Sequence, residues 1–511
     1  MKKKKKMLAK NNLSLIYLSC CFVSCILVTS CTVDEAPPPS ILSGRVLLMD
    51  GYTNYKVEKI HVYSRNGTKL FGSAVPYEVE TASGAKEIHW KKPIPAADGE
   101  ECTFWVQIST PIYKRLYFNQ GTDDIIIEGA QYDLPVDKAQ MPIFTTADLR
   151  RIGSDAALFP MTEQYVLIRD IALSEDEDWE PFGTNANNAF AGTFDGNYRT
   201  VSGLTLAAGS REYVGFFGFV KRAYIKNLFL IISDKILTLT TTTNQNIGIL
   251  AAYAEDSIIE NITVRGGLQG LNIEKSGGAS FSLGGIVGTF KSSRHTSNTP
   301  PFLPPNSVIS GCACEINIAI NKKDGEKSDH DKSAYGGIVG LLFRDNSEGS
   351  FLIEKCYSSE TISASAESTI FGGGIVGFVD AQTDSSTDFL SISECYNSGN
   401  ISGEAAKVYC GGIFGSISGG SNDVKISMEK IVSINANITL SASDTNGYGI
   451  GKITGGHKYT PKIDSSTTVY SLGTMILNPY PPAPPPPPGR DKWEFSIGFA
   501  ACGIMVCKHG F

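Results

Sequence analysis

Between residues 200 and 455 the apolar positions come in short runs, with glycine, serine, asparagine and aspartate between them. One run recurs: an apolar residue or glycine, then glycine, two apolar residues and a small residue. It reads Val214-Gly-Phe-Phe-Gly218, Ile247-Gly-Ile-Leu-Ala251, Gly284-Gly-Ile-Val-Gly288, Gly336-Gly-Ile-Val-Gly340, Gly373-Gly-Ile-Val-Gly377 and Gly411-Gly-Ile-Phe-Gly415, with a degenerate last copy Tyr448-Gly-Ile-Gly-Lys452. Its shared glycines fall at 215, 248, 285, 337, 374, 412 and 449. A period in this range is the mark of a repeat architecture. The one long interval holds a proline-rich excursion, Thr299 to Pro305, and reads as a loop insertion.

Two further elements follow each glycine box. The second reads Ile225-Lys-Asn-Leu228, Ile259-Glu-Asn-Ile262, Ile309-Ser-Gly-Cys312, Ile353-Glu-Lys-Cys356, Ile392-Ser-Glu-Cys395 and Met428-Glu-Lys-Ile431. The third is Glu315-Ile-Asn-Ile318, Glu360-Thr-Ile-Ser363, Gly399-Asn-Ile-Ser402 and Ala436-Asn-Ile-Thr439. Runs this short, rich in Ile, Val and Thr and bounded by turn residues, are strands. Three strands per repeat predict one coil of a triangular parallel β-solenoid, with coils about 4.8 Å apart. A single coil cannot bury its apolar face, so like residues must stack in inward columns. The column expected from the second element is Leu228, Ile262, Cys312, Cys356, Cys395 and Ile431, each buried aliphatic contributing roughly 1.5–3 kcal/mol. A spacing of three has the wrong parity for one flat strand, so a bend is expected at the intervening Asn or Lys. Buried free cysteine behaves as a small hydrophobe; stacked reduced thiols are expected, with cross-coil disulfides as the rival.

These boxes resemble the GLUG repeat of bacterial surface proteins, over roughly residues 143–455. The region before the repeats resembles it too. Ile143-Phe-Thr-Thr-Ala-Asp-Leu149 predicts a short helix, with Thr145 and Asp148 as a capping box and Gly153 as a stop. Tyr165 to Leu173, Trp179 to Gly183 and Phe190 to Leu204 follow the opening pattern, and Asp195-Gly196-Asn197 is a tight-turn signal. The resemblance implies a right-handed, pectin-lyase-like parallel β-helix, with an opening segment at 143–206 and repeats at 207–478. It implies no single activity, because GLUG repeats also stand beside unrelated domains, including peptidases. No segment here resembles such a peptidase domain.

The rest of the chain has a different texture. Residues 41–135 hold strand-like runs at Gly44–Leu48, Lys59–Tyr63, Thr103–Ile108, Arg115–Phe118 and Asp124–Glu128, which predict a small β-sandwich. Such a module would be a stalk, or else a cap on the first coil. At the N-terminus a lysine block, an apolar run from Leu13 to Val28 and small residues before Cys31 describe a signal peptide over 1–30. Val28-Thr-Ser-Cys31 resembles the bacterial lipobox. That implies cleavage before Cys31, palmitate-type acylation there, and a membrane partner through the lipid anchor. Residues 31–40, with Thr-Val-Asp-Glu and three prolines, resemble the export tether of Bacteroides-like lipoproteins. The implied location is the outer membrane, facing the exterior. Residues 479–511 begin with a near-continuous proline tract; this segment reads either as a disordered tail or as an out-of-frame product of a slippery gene tract.

Charge and chemistry narrow the function. Six lysines and no acids lie in residues 1–30, so cleavage leaves 39 basic against 52 acidic residues, a net charge of −13. That repels phosphate backbones and excludes a nucleic-acid partner. The eight cysteines beyond Cys31 have no metal-type spacing, and the histidines at 61, 89, 295, 330, 457 and 509 form no metal motif. No cofactor, metal set or catalytic nucleophile is legible. The acidic clusters Glu175–Asp178 and Asp329-His330-Asp331 read as solvated turns. Tyr335, Phe371 and Tyr409, just before glycine boxes, could touch sugars, although packing at the core edge competes with that. The expected function is non-catalytic binding or adhesion at the cell surface, towards glycans or host or microbial surface proteins. A polysaccharide lyase or glycosidase on the same scaffold, and a plain structural spacer, are the alternatives.

Overall fold

The computed structural model describes residues 40–479 apart from short stretches, the longest being 119–130, 294–306, 323–331 and 382–389. The signal segment 1–30, Cys31 and the tether up to residue 39, the run Asp124–Glu128, the 299–305 excursion, Asp329–Asp331 and the tail beyond Pro479 lie outside the described residues.

The main body is a parallel β-helix of seven coils, one for each glycine box. The fourth coil shows the plan. A first strand, Lys332–Gly336, is followed by a second, Val339–Arg344; a third, Phe351–Glu354, bends into a fourth, Tyr357–Ser358; a fifth, Ile362–Ser365, closes the coil. Each strand pairs in parallel with its counterparts above and below. Three sheets therefore hold seven strands each, while the bent third and fourth strands share a larger sheet with the opening strands. The third to sixth glycine boxes are in register, Gly284 pairing with Gly336, Gly336 with Gly373, and Gly373 with Gly411. The second box is one position out of phase, Gly248 pairing with Gly284, and the last copy is three out, Gly411 pairing with Gly451 and not Tyr448.

Two expectations are corrected by this plan. Each coil has four faces and not three, because the glycine box is a corner and not a strand. The chain reverses direction so tightly there that a Cβ on Gly284, Gly336 or Gly373 would overlap the carbonyl oxygen of Val287, Val339 or Val376. Only glycine fits, so one apolar run becomes two strands on two sheets. The apolar residue at the tip, Ile286, Ile338, Ile375 or Ile413, is fully buried.

The second bend is made by a column of left-handed residues: Asn227, Asn261, Gly311, Lys355, Glu394 and Lys430 have φ of 55°, 53°, 62°, 53°, 52° and 52°. The left-handed bend reorients the chain, so Ile353 and Cys356, three apart, are both fully buried. The Asp195–Asn197 signal is of this kind too. Asn197 and Tyr198 have φ of 50° and 55°, and the Asn197 N–H donates to Asp195 Oδ1 at 2.8 Å. Thr193–Leu204 nonetheless pairs in parallel with Tyr224–Ile232 on both sides of the irregularity. The signal thus marks a corner within a coil and not a hairpin.

A solenoid must close its first coil. Helix α1, Thr146–Arg151, carries the reciprocal capping box between Thr145 and Asp148, and Gly153 beyond it has φ of 77°. Aromatic rings then fill the opening coils: Trp179 stacks on Phe216 at 5.1 Å and meets Phe182 edge-on at 5.2 Å. The Trp179 indole N–H donates to the Phe216 carbonyl at 2.9 Å, which satisfies its polar atom inside the core.

Most of residues 40–135 belong to a separate unit, and the strands of this stretch make two four-stranded sheets. One runs in the order Tyr77–Glu80, Lys86–Ile94, Ser40–Leu47, Leu134–Pro135, and the other Leu70–Ala74, Lys56–Ser64, Cys102–Ser109, Lys114–Phe118. Strand Ser40–Leu47 alternates buried and more exposed positions, as a half-buried strand must. The fully buried rings of Trp90 and Phe104, one from each sheet, meet at 5.5 Å.

Candidate functional site

The column read from the second element is interior. Leu228 is in register with Ile262, and Leu228, Ile262, Cys312, Cys356, Cys395 and Ile431 are each 0% exposed. The backbone continues the stack: the N–H of Tyr357 donates to the Cys312 carbonyl, that of Tyr396 to Cys356, and that of Val432 to Cys395, each at 2.9 Å. The thiols repeat one geometry. Cys312, Cys356 and Cys395 each lie 3.8 Å from the carbonyl of Ile259, Ile309 and Ile353 on the preceding coil. All six described cysteines are free and buried. Burial pushes the Cys356 thiol well above its ordinary range, and contact with the Cys356 thiol, then burial, does the same to Cys395. These are inert thiols that fill space, because the reactive form is the thiolate. The column holds the coils together and offers a ligand nothing.

Chemistry accessible to a ligand lies on the solvent side of the first two strands of each coil. On the first strands, one column in register is Tyr213, Asn246, Ser282, Ala334, Phe371 and Tyr409. On the second strands it is Phe219, Tyr253, Thr289, Leu341, Phe378 and Ser416. Their sequence neighbours on the opposite parity, such as Ile370, Val408 and Val379, are fully buried. At a convex corner these two columns would splay apart. Here they touch: Thr289 Oγ1 donates to Asn246 Oδ1 at 2.6 Å, and the Phe371 and Phe378 rings stack at 4.4 Å. The corner is therefore re-entrant, a seam running along the coils.

Aromatic side chains cluster at the two ends of that seam. In the first two coils Tyr213, Phe219 and Tyr253 form a mutually contacting set, with Phe219 and Tyr253 stacked at 4.6 Å and 19°. In the fifth and sixth coils Phe371 stacks on Phe378 at 16° and on Tyr409 at 5.6 Å and 20°. All but Phe219 are half-buried, with ring surface in solvent. Phe371 and Tyr409, singled out by their place before the glycine boxes, sit on strands Thr369–Gly373 and Lys407–Gly411. At Tyr335 the packing alternative holds and the sugar contact does not. This residue is 0% exposed and packs against Phe281 at 5.1 Å, so it belongs to the core. The repeat pattern does not single out Phe378 and Tyr253, which lie on the strands beyond the glycine box, nor Tyr213, which lies on the two-residue strand before it.

Several described acids are committed to contacts of their own. Glu175–Asp178 is an exposed turn, and Glu177 pairs with Arg150 at 2.6 Å. Glu255 lies between Lys221 at 2.9 Å and Lys291 at 3.8 Å. Glu315 accepts from Arg265 at 2.7 Å and from the Tyr357 hydroxyl, and the Arg265 hydrogen bond holds its carboxyl below the usual range. A carboxyl held in its ionised form is a poor general acid. Among the described residues no group of three or more His, Cys, Asp or Glu is placed to hold a metal ion.

No protein-family model matches the chain, and no curated protein does. The GLUG likeness is thus one of motifs and their spacing. A solved structure of a candidate immunoglobulin A1 protease from Bacteroides ovatus is similar at 20% identity and a TM-score of 0.40, over 67% of this chain and 85% of that one.

Proposed function

We propose that this is a GLUG-type surface lipoprotein, anchored through acylated Cys31 in the outer membrane, whose coils bind glycans without cleaving them. The observation that carries the binding role is the seam: six aromatic side chains gathered on one solvent-side corner, five of them half-buried. Ring faces left partly in water are a cost that a stacking ligand removes. The anchor rests on the lysine block, the apolar run and the cysteine after small residues. The non-catalytic reading is supported by the acids, because Glu315 and Glu394 are both held ionised by hydrogen bonds to cations.

A glycan array probed with the mature protein, with reducing-sugar release followed in parallel, tests this. Binding without release is expected. Release of reducing ends would move the protein to the carbohydrate-active enzymes, and silence on the array would remove the glycan reading. Metabolic labelling with an alkyne fatty acid, lost in Cys31→Ala, tests the anchor.

A further inference from the structure

We infer that the seam takes a neutral, extended polysaccharide, laid along the coil axis and held at two aromatic platforms. The inference rests on the glycan reading above and adds the ligand's charge, its direction and its minimum length. The platforms are Tyr213 with Tyr253, over Phe219, and Phe371 with Phe378 and Tyr409. Their centres lie four coil steps apart, about 19 Å at the spacing of paired strands.

The direction follows from the register. The residues of each column sit directly over one another from coil to coil, so any row of contacts on them runs along the axis. The charge follows from the columns themselves. None of the twelve residues in the two columns is ionisable at neutral pH, and the whole chain is acidic, with a net charge of −7. An anionic polysaccharide would meet no cation within the two columns, since Lys221 and Lys291, two residues further along the second strands, are paired to Glu255, and it would meet the acidic charge of the whole chain. Between the platforms lie Ser282, Thr289, Ala334 and Leu341, all neutral, and beside Tyr253 lies Asn246, whose Oδ1 accepts from the buried Thr289 hydroxyl. The length follows from openness. Each platform is a shallow stack and holds one ring weakly; tying two such contacts into one ligand multiplies their effect.

Titration calorimetry of the full chain in detergent tests this. The ligands are a mixed-linkage glucan, a mannan, an arabinoxylan and, as the anionic case, polygalacturonate, followed by a length series of oligosaccharides from the best binder. Tyr253→Leu and Phe371→Leu keep apolar cover over the core but remove a ring face, and Tyr396→Ala, on another sheet, is the control. The expected result is binding of at least one neutral polymer. Each Leu variant should weaken it about tenfold, the loss of roughly 1.4 kcal/mol of stacking, with Tyr396→Ala unchanged and melting temperatures close to the parent. Affinity should rise steeply once the oligosaccharide is long enough to reach both platforms. Polygalacturonate binding as tightly as the neutral polymers overturns the charge assignment. Disaccharides binding as tightly as long chains overturn the two-platform mode. Leu variants that bind like the parent remove the seam as the site while leaving a glycan-binding protein, whereas no binding by any polymer defeats the proposed function itself.

Discussion

The residues that shape each coil are those that tolerate an unusual backbone. At the second bend the left-handed column holds two asparagines, a glycine and then Lys355, Glu394 and Lys430. Left-handed φ costs an ordinary side chain roughly 1–2 kcal/mol. Part of that is offset on the surface, where Glu394 pairs with Lys430 at 3.0 Å. Lys355→Gly should therefore raise the melting temperature, by the equivalent of at most about 1 kcal/mol once glycine's unfolded-state entropy is counted. Asn227→Val should lower it, because Asn227 also hydrogen-bonds Asp195 at 3.1 Å and accepts from Asn261 at 3.0 Å. The buried thiols give a pH signature. Burial pushes the Cys410 thiol up to about 12, whereas an unfolded thiol titrates near 8.5. The folded state thus keeps a proton that the unfolded state gives up. This contribution is fully present below about pH 8.5 and is lost as pH rises towards 12, at about 1.4 kcal/mol per pH unit. Urea midpoints measured between pH 8 and 11 should fall less steeply for Cys410→Ala than for the parent. Thiol reagents should label Cys312, Cys356 and Cys395 only after unfolding.

At the scale of the element, the glycine box matters because it is a corner. A methyl on Gly336 would strike the Val339 carbonyl oxygen and crowd the Gly377 nitrogen of the next coil. These are backbone atoms bound into the sheet of second strands and cannot swing aside. Gly336→Ala should cost about 3 kcal/mol, at the upper end of ordinary overpacking, read as a lower urea midpoint. By contrast, Gly84 has open space around its Cβ position, so Gly84→Ala should be governed only by its φ of 80° and cost about 1 kcal/mol.

For the whole molecule the relevant unit is the coil. Each coil contacts its neighbours through strands in strict register, so stability is close to a sum of nearest-neighbour terms. Removing residues 369–406, which takes out the fifth coil and leaves the fourth followed by the sixth, keeps every column continuous. Lys332–Gly336 would then pair with Lys407–Gly411, whose partner now is Thr369–Gly373. That deletion should give a soluble β-rich protein with a lower melting temperature by circular dichroism. Removing only 369–389 splits a coil, leaves two sheets interrupted and should abolish cooperative unfolding.

Much of this was legible in the residues alone. Spacing between glycine boxes gave the number of coils. The mismatch of three between Ile and Cys required a bend, and Asn or Lys at the middle marked its place. Buried columns were readable because stacking forces like residues to recur at one phase of the repeat, and recurrence is a property of sequence. The site was only half visible for the opposite reason. Phe371 and Phe378 lie seven residues apart with a full-length apolar run between them, and no periodicity says that they face each other. That depends on how sharply the chain turns over Gly373, Gly374 and Ile375. The angle is set by backbone contacts between one coil and the next: an added Cβ on Gly374 would overlap the Gly412 carbonyl. Local patterning thus determined which residues are inside, while packing between coils decided which of the outer ones meet.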